Sequence, residues 1–566
     1  MPVQVVASAA GSLETITTML ILLTSVVASI VRAVFCFLNE WRLWWGLPPG
    51  SKLPPMPPWT SIRGHVELLR EDFHRKKCIE WAKKYGPVLR LNVNLMNVVI
   101  LNDFENIKKF CNTKELLWRS HSFSGYRDNY RGLGQLNGKA WTANRRFCLS
   151  MLRDLGFAKT AMEGHMMEEF RRVADSIGNA NGKPLDVMGC VMPCTFNNIV
   201  SFFYGGLFTH DHPTRPKLHR LINRVGSTVF SNTAHQFLPK NVRRILGWIP
   251  FTRDHRIAQV LAELDTFSKE QIEAYKSTNY GDETGDFIHG YTRKIQECQG
   301  EFEPLFTGVQ VLELCGIIPV LDRSDTLKLT QPAVNIFILL FVEGAGHERI
   351  LDDDYLVGNV NSFLMAGTFS TTTAMTWQMI NFAQNPDTVQ ARVQREIDDV
   401  IGQERIPTWE DRKRMPYTMA CIWELERWKT GAPLGVAREC AEDVVVGDIY
   451  IPKGTIVIPN IWAVHNDPIL WKDPTKFHPE RYLSEDGMTL LHKPEHLIPF
   501  SIGHRSCAGE TFARMEIFLI ITFLLQKYNV TPEQPININF DNPDTSILKI
   551  SHIKLRFLPR NIRKNQ

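Results

Sequence analysis

The ten residues Phe500-Ser501-Ile502-Gly503-His504-Arg505-Ser506-Cys507-Ala508-Gly509 carry the most reactive arrangement in the chain. They set one cysteine between a turn of small residues and a long apolar segment, Glu510 to Leu525. The first N–H groups of a helix starting there would face Cys507 and stabilise negative charge on its sulfur, favouring the thiolate. Gly503 and Gly509 let backbone come close to a flat ligand, and Phe500 can pack beside the sulfur. Arg505, two residues before the cysteine, can pair with an anionic group of that ligand. A buried structural cysteine in a helix-capping loop is the plain alternative.

The spacing Phe-x-x-Gly-x-Arg-x-Cys-x-Gly resembles the haem-ligand signature of the cytochrome P450 superfamily. That resemblance implies a mainly α fold with small β-sheets, heme b as cofactor, and Cys507 as axial ligand of its iron. Phe500, Arg505 and Gly509 then belong to the cofactor site. Glu424 and Arg427 share one helix face at i and i+3. In the family such a pair joins an arginine from a Pro-Glu-Arg segment, here Arg481 of Phe477-His478-Pro479-Glu480-Arg481, and forms the structural wall behind the haem. Trp141-x-x-x-Arg145 by itself means a packed indole beside a surface guanidinium. By resemblance both reach a haem propionate, as would Arg119, Arg438 and Arg505. Gly435-Val436-Ala437-Arg438 departs slightly, because the family often has Pro before the propionate-binding residue. Residues 137–157 are similar to the animal microsomal branch, which includes members acting on xenobiotics, steroids and fatty acids.

Haem-thiolate oxygenases of this family carry Ala/Gly-Gly-x-Asp/Glu-Thr in a long central helix. The matching segment is Ala366-Gly367-Thr368-Phe369-Ser370, followed by Thr371. By resemblance, Gly367 lets the helix open to hold dioxygen, and Ser370 with Thr371 carries protons. Such a hydroxyl can also bond back to a carbonyl one turn earlier. Phe369 replaces the acid that relays protons and adds bulk beside the opened turn, so Phe369→Glu is expected to improve coupling of electrons to product. Three activities follow from these residues. One is a membrane-bound monooxygenase that hydroxylates or epoxidises a lipophilic small molecule with dioxygen. Another is a haem-thiolate isomerase or dehydratase without external electrons, which Phe369 favours. The last is a degenerate haem-binding paralogue.

The elements that must position these residues are readable in outline. Basic and acidic residues nearly balance, 64 against 60 in 566 residues, so no nucleic-acid partner is expected. Lys139 to Arg153 is locally basic and suits docking to an acidic protein. Gly132-Leu133-Gly134-Gln135-Leu136-Asn137-Gly138 has the wrong spacing for a dinucleotide loop. Electrons are therefore expected from a partner, and the resemblance implies NADPH-cytochrome P450 reductase, fed by NADPH, with cytochrome b5 as a second donor. The eleven cysteines are scattered, which argues for a reducing compartment. Cys190 and Cys194 lack a second pair that would complete a metal site.

Ile16 to Leu38 is apolar apart from Ser, Thr and Arg32, and its helix would rise about 35 Å, enough to span a bilayer. No Lys or Arg precedes it, whereas Arg32, Arg42 and Lys52 follow. The charge asymmetry predicts a single-pass anchor in the endoplasmic reticulum membrane, with the catalytic domain cytosolic and Trp41, Trp44 and Trp45 at headgroup level. The sequon Asn529-Val530-Thr531 then stays unglycosylated. Six prolines lie among Leu47–Pro58, a stiff connector. The division expected is anchor 1–45, proline-rich hinge 46–60 and haem-thiolate catalytic domain 61–566. Val88–Val93 and Asn97–Leu101 predict a β-hairpin, strand signals return over Val444–Ile458, and helical periodicity dominates elsewhere.

Overall fold

The computed structural model describes residues 37–61, 64–70, 72–93, 96–120, 131–156, 160–205, 212–229, 240–277, 286–300, 351–536, 550 and 553–560, with 19, 23, 26, 27, 33 and 34 near the start. Its helices are α1 (Lys77–Tyr85), α2 (Phe104–Asn112), α3 (Gly138–Asp154), α4 (Thr160–Asn179), α5 (Val187–Tyr204), α6 (Arg215–Val229) and α7 (Lys240–Trp248). They continue with α8 (Arg253–Ser277), α9 (Phe287–Gly300), α10 (Asp353–Gln384), α11 (Ala391–Val400), α12 (Pro416–Trp428), α13 (Ile461–His465) and α14 (Glu510–Lys527). The mainly helical expectation holds.

Local chemistry sets the helix ends. Asp103 starts α2 by accepting the N–H of Asn106 at 2.7 Å. Asp352 caps α10 through the N–H of Tyr355 at 2.9 Å, and Asp353 and Asp354 add negative charge to its first turn. Pro416 opens α12 at a position where no N–H is needed. Neither α10 nor α14 has a separate polar face, and both are buried through most of their length. α10 runs through the core against α5, α6, α8, α9, α12 and α14.

The predicted hairpin forms as β1 (Val88–Val93) and β2 (Met96–Leu101), one residue longer than expected, with Val88 opposite Leu101 and Val93 opposite Met96. Three further strands complete that sheet: β3 (Trp118–Arg119), β5 (Arg438–Glu439) and β8 (Ile456–Pro459). Its order is β1-β2-β8-β5-β3, with β2 and β8 parallel and the other pairs antiparallel. Two smaller sheets are β4 (Leu185–Asp186) with β10 (Lys554–Pro559) and β9 (Tyr528–Pro532), and the pair β6 (Val444–Val446) with β7 (Ile449–Ile451).

The connector is part of the catalytic body. The Lys52 N–H donates to Asp448 O at 2.7 Å, the Tyr450 N–H to Lys52 O at 2.9 Å, and the Arg90 N–H to Pro55 O at 2.9 Å. Before it, Leu43 is buried and Glu40 takes both arms of the Arg90 guanidinium at 2.6 and 2.8 Å. The connector expected over residues 46–60 is therefore bonded along its length to β1 and the β6–β7 pair. Proline lacks an N–H but leaves neighbouring amides and its own carbonyl free to pair with a sheet edge. The expected span Ile16–Leu38 lies largely outside the described residues. Among those residues, the helix long and apolar enough to cross a membrane is α5, most of which is buried in the core.

Candidate active site

The cysteine loop is held by its own backbone. The Cys507 N–H donates to Phe500 O at 2.9 Å, and the Ser506 N–H to Gly503 O at 3.0 Å, which closes a short 3₁₀ turn over Gly503–Arg505. Gly503 has φ +73°, and a Cβ there would lie 2.7 Å from both Cys111 O and Asn112 Oδ1. This glycine lets the loop cross the end of α2, a packing need beside the ligand approach expected from the sequence. Gly509 is different: the nearest atom to its hypothetical Cβ is Cys507 Sγ at 4.0 Å. Its N–H donates to that sulfur at 3.4 Å, as a helix-start amide should. Among the described free cysteines, Cys507 is the exposed one. Surrounding protein nevertheless raises its thiol pKa by desolvation, with the Gly509 N–H and Arg145 opposing. Exposure and desolvation together place the sulfur on an internal space.

Four guanidiniums converge beside this loop. Arg145 donates to Ser506 O at 2.6 Å, and Arg438 to Cys111 O at 3.0 Å. Arg505 donates to Leu117 O at 2.7 Å and Leu136 O at 2.5 Å, with its guanidinium 3.8 Å above the Trp141 ring. Arg119 donates to Val436 O at 2.9 Å. Among the described residues no carboxylate pairs with any of them, and the Nε atoms of Arg119 and Arg438 and the indole Nε1 of Trp141 are buried without a partner. Burial, then mutual repulsion, lowers Arg119 to about 9 and Arg505 to about 8. Concentrated positive charge with orphaned donors is what an anionic group relieves. A flat group with carboxylates on one edge and a thiolate-binding metal at its centre fits this set, so haem fits.

The long helix contributes one open face. Ala366 and Ser370, one turn apart, are exposed in the middle of an otherwise buried segment. The Ser370 hydroxyl donates to Ala366 O at 2.7 Å. Thr371 is buried. Gly367 faces α5, where a Cβ would lie 2.4 Å from Ile199 Cδ1, so it serves close helix packing. Phe369 is buried too, with its ring against Gly226 of α6. α10 is continuous through Gly367. Thr368, Ser370, Thr372, Thr373 and Thr376 each bond to the carbonyl four residues earlier at 2.7–2.8 Å without unwinding it.

Behind the loop, Glu424 and Arg427 are fully buried. Glu424 accepts from Arg427 at 2.7 and 2.8 Å, from the His478 N–H at 2.9 Å, from Arg481 at 3.1 Å and from the Tyr482 hydroxyl at 3.2 Å. The remaining donors of Arg427 reach His465 O and Pro474 O at 2.8 Å and Lys476 O at 3.1 Å. A buried ion pair satisfied this fully stabilises one arrangement of chain. It also extends toward the cysteine. Thr430 Oγ1 donates to Arg427 O at 2.8 Å and lies 2.7 Å from His465 Nδ1, while His465 Nε2 accepts the Ile498 N–H at 3.0 Å. Desolvation holds His465 well below its usual pKa, so the ring is neutral with its proton on Nδ1.

A sequence model of cytochrome P450 matches residues 54–314 and 320–557. The chain belongs to the cytochrome P450 family. Cytochrome P450 2U1 of Bos taurus is 26% identical over 532 residues, covering 88% of each chain. Cytochrome P450 2U1 of Homo sapiens is 27% identical over 514 residues, 85% of this chain and 84% of that one. Cytochrome P450 2D27 of Mesocricetus auratus is 28% identical over 492 residues, 85% and 86% respectively. These relatives place the protein in the animal branch as a cytochrome P450 monooxygenase, a haem enzyme with a thiolate ligand.

In this P450 the fold gathers Cys507, Gly509, Phe500, Arg119, Trp141, Arg145, Arg438 and Arg505 around one loop, and leaves Gly367 and Thr371 off the open face of α10. Sequence reasoning missed His465 and Thr430, which join the buried ion pair to the loop, and Asn137. The Asn137 amide accepts from the Arg119 N–H at 2.6 Å and from Arg505 at 3.2 Å. Single polar residues between apolar ones carry no local signal for such links.

Proposed function

We propose that Cys507 is the axial thiolate of heme b and that Arg119, Trp141, Arg145, Arg438 and Arg505 hold its propionates, with Phe500 and Gly509 beside the sulfur. The acid-free cluster of four arginines at the start of α14 carries this reading. When bound, the haem supplies an iron at which dioxygen is activated, and thiolate donation favours O–O cleavage. One oxygen atom enters a lipophilic substrate as a hydroxyl or epoxide. The other leaves as water with two electrons and two protons. Ser370 holds a proton at its Oγ on the open face of α10.

Electrons would come from NADPH through NADPH-cytochrome P450 reductase, with cytochrome b5 as a second donor. Lys139, Arg146 and Arg153 are exposed on α3, the helix whose Arg145 touches the Ser506 carbonyl. That supports docking of an acidic partner on the sulfur side. Attachment to the endoplasmic reticulum membrane through residues 1–45, with a cytosolic catalytic domain, is supported by the exposed indoles of Trp41, Trp44 and Trp45. A second apolar patch holds Trp248 at 77% and Phe251 at 94% exposure.

The ferrous carbon monoxide complex should show the strongly red-shifted Soret band of thiolate ligation. Cys507→Ala and Cys507→His should lose that band while Cys440→Ala keeps it, and a band retained in Cys507→Ala removes the assignment. In intact microsomes, added protease should digest the catalytic domain and Asn529 should carry no glycan. Protection together with glycosylation would reverse the topology.

A further inference from the structure

Phe369 stands where the family resemblance places an acid, and its ring has a specific seat. A Cβ built on Gly226 would lie 2.0 Å from Phe369 Cζ, 2.2 Å from Cε1 and 2.6 Å from Cε2. The tip of the ring therefore occupies the notch left by the missing side chain and touches the α6 backbone. Glycine inside a helix costs up to about 1 kcal/mol relative to alanine, so Gly226 needs a packing reason, and the ring supplies it.

The rest of α6 fixes the direction of this contact. Leu218, Ile222 and Val225 are buried on the core side. On the other side Arg224 forks onto Glu263 of α8 at 2.5 and 3.2 Å, and Arg253 donates to Thr228 O at 3.0 Å. The carboxy-terminal turns of α6 are thus gripped between α8 and one aromatic ring of α10. The residue after that ring is Ser370, on the open face.

We propose that Phe369 and Gly226 form a matched pair that sets how close α6 stands to the open face of α10, and so selects ligands by size. The inference rests on Ser370 facing the substrate space. Phe369 is here a positioning residue: the ring acts through α6, which forms the wall of that space. A larger residue at 226 pushes the wall out; a smaller one at 369 leaves a hole beside it.

The test uses the purified holoenzyme and three probes of graded bulk, imidazole, 4-phenylimidazole and a triaryl imidazole, with Kd read from the shift of the Soret band. Gly226→Ala and Phe369→Ala should each tighten the triaryl probe relative to imidazole by about tenfold, the scale of a methylene or two in an apolar pocket. Gly226→Ala combined with Phe369→Leu should return the ratio toward the native value. A ratio unchanged in both single variants, or all three probes shifting equally, overturns the proposal. If Gly226→Ala fails to incorporate haem, recovery in the double variant supports the pair and non-recovery with an unchanged ratio in Phe369→Ala overturns it. The carbon monoxide band of the native protein reports separately on the Cys507 assignment, so failure of that assignment is not confused with failure of the pair.

Discussion

A serine hydroxyl has one proton to give, and that of Ser370 is committed to Ala366 O in the resting arrangement. To pass a proton toward the open face, the side chain must rotate away from this bond, whose net worth is about 1 kcal/mol. Ser370→Ala should therefore lower product formed per NADPH consumed by several-fold, with the difference appearing as hydrogen peroxide; unchanged coupling would exclude Ser370 from the proton path. A tenfold loss corresponds to about 1.4 kcal/mol on the barrier. The expectation for Phe369→Glu reverses once the ring's position is known. Its carboxylate would be buried against the α6 backbone rather than stand at the oxygen face, and a buried unpaired charge costs several kcal/mol. That variant should lose haem or stability, measured by carbon monoxide difference spectrum and thermal melt, instead of gaining coupling.

Elements carry the site by way of shared polar bonds. Glu424 and Arg427 on α12 were legible from their spacing, and Arg481 from its Pro-Glu-Arg context. The continuation through Thr430 and His465 to the Ile498 N–H was not, because it joins three segments that only the fold brings together. Thr430→Val leaves the Nδ1–H of His465 buried and unpaired, a cost of about 1–3 kcal/mol. The expected result is a lower melting temperature together with faster haem loss, while Thr430→Ser keeps both near native. A drop in melting temperature with native haem retention would show that the link supports the core but not the cysteine loop.

At the scale of the whole molecule, two buried groups give stability opposite dependences on pH. Desolvation holds His465 far below its ordinary 6.5, so the unfolded chain binds the extra proton and stability falls as pH drops through 6.5. Glu516 of α14 is fully buried against Asn198 of α5 and raised to about 8 from 4.5. It stays protonated when folded, and its contribution is lost as pH rises from 4.5 to about 8. The two slopes oppose one another just below 6.5, and above 6.5 only that of the glutamate remains. Between pH 6.5 and 8 this predicts a loss of about 2 kcal/mol, and Glu516→Gln should flatten that part of the melting-temperature profile. A native profile already flat there would mean Glu516 is ionised in the fold.

What the sequence determined by itself was the chemistry: a thiol at a helix start, arginines and an indole at recognisable spacing, a buried ion pair and a mainly helical chain with one hairpin. Each of these is written in short-range pattern, where a helix or turn brings the residues together within a few positions. Tertiary structure decided the rest, because packing choices are made between segments far apart in the chain. Gly503 and Gly367 read as openings for a ligand, and the fold adds close approaches to Cys111 and Ile199 that the sequence could not show. The proline-rich connector read as a hinge and proved to be paired to β7, since unpaired amides beside a sheet edge find partners. Phe369 read as a missing acid at the oxygen face. Its ring lies about a quarter-turn away from Ser370 on a 3.6-residue helix, and that rotation turned a question of protons into one of wall position.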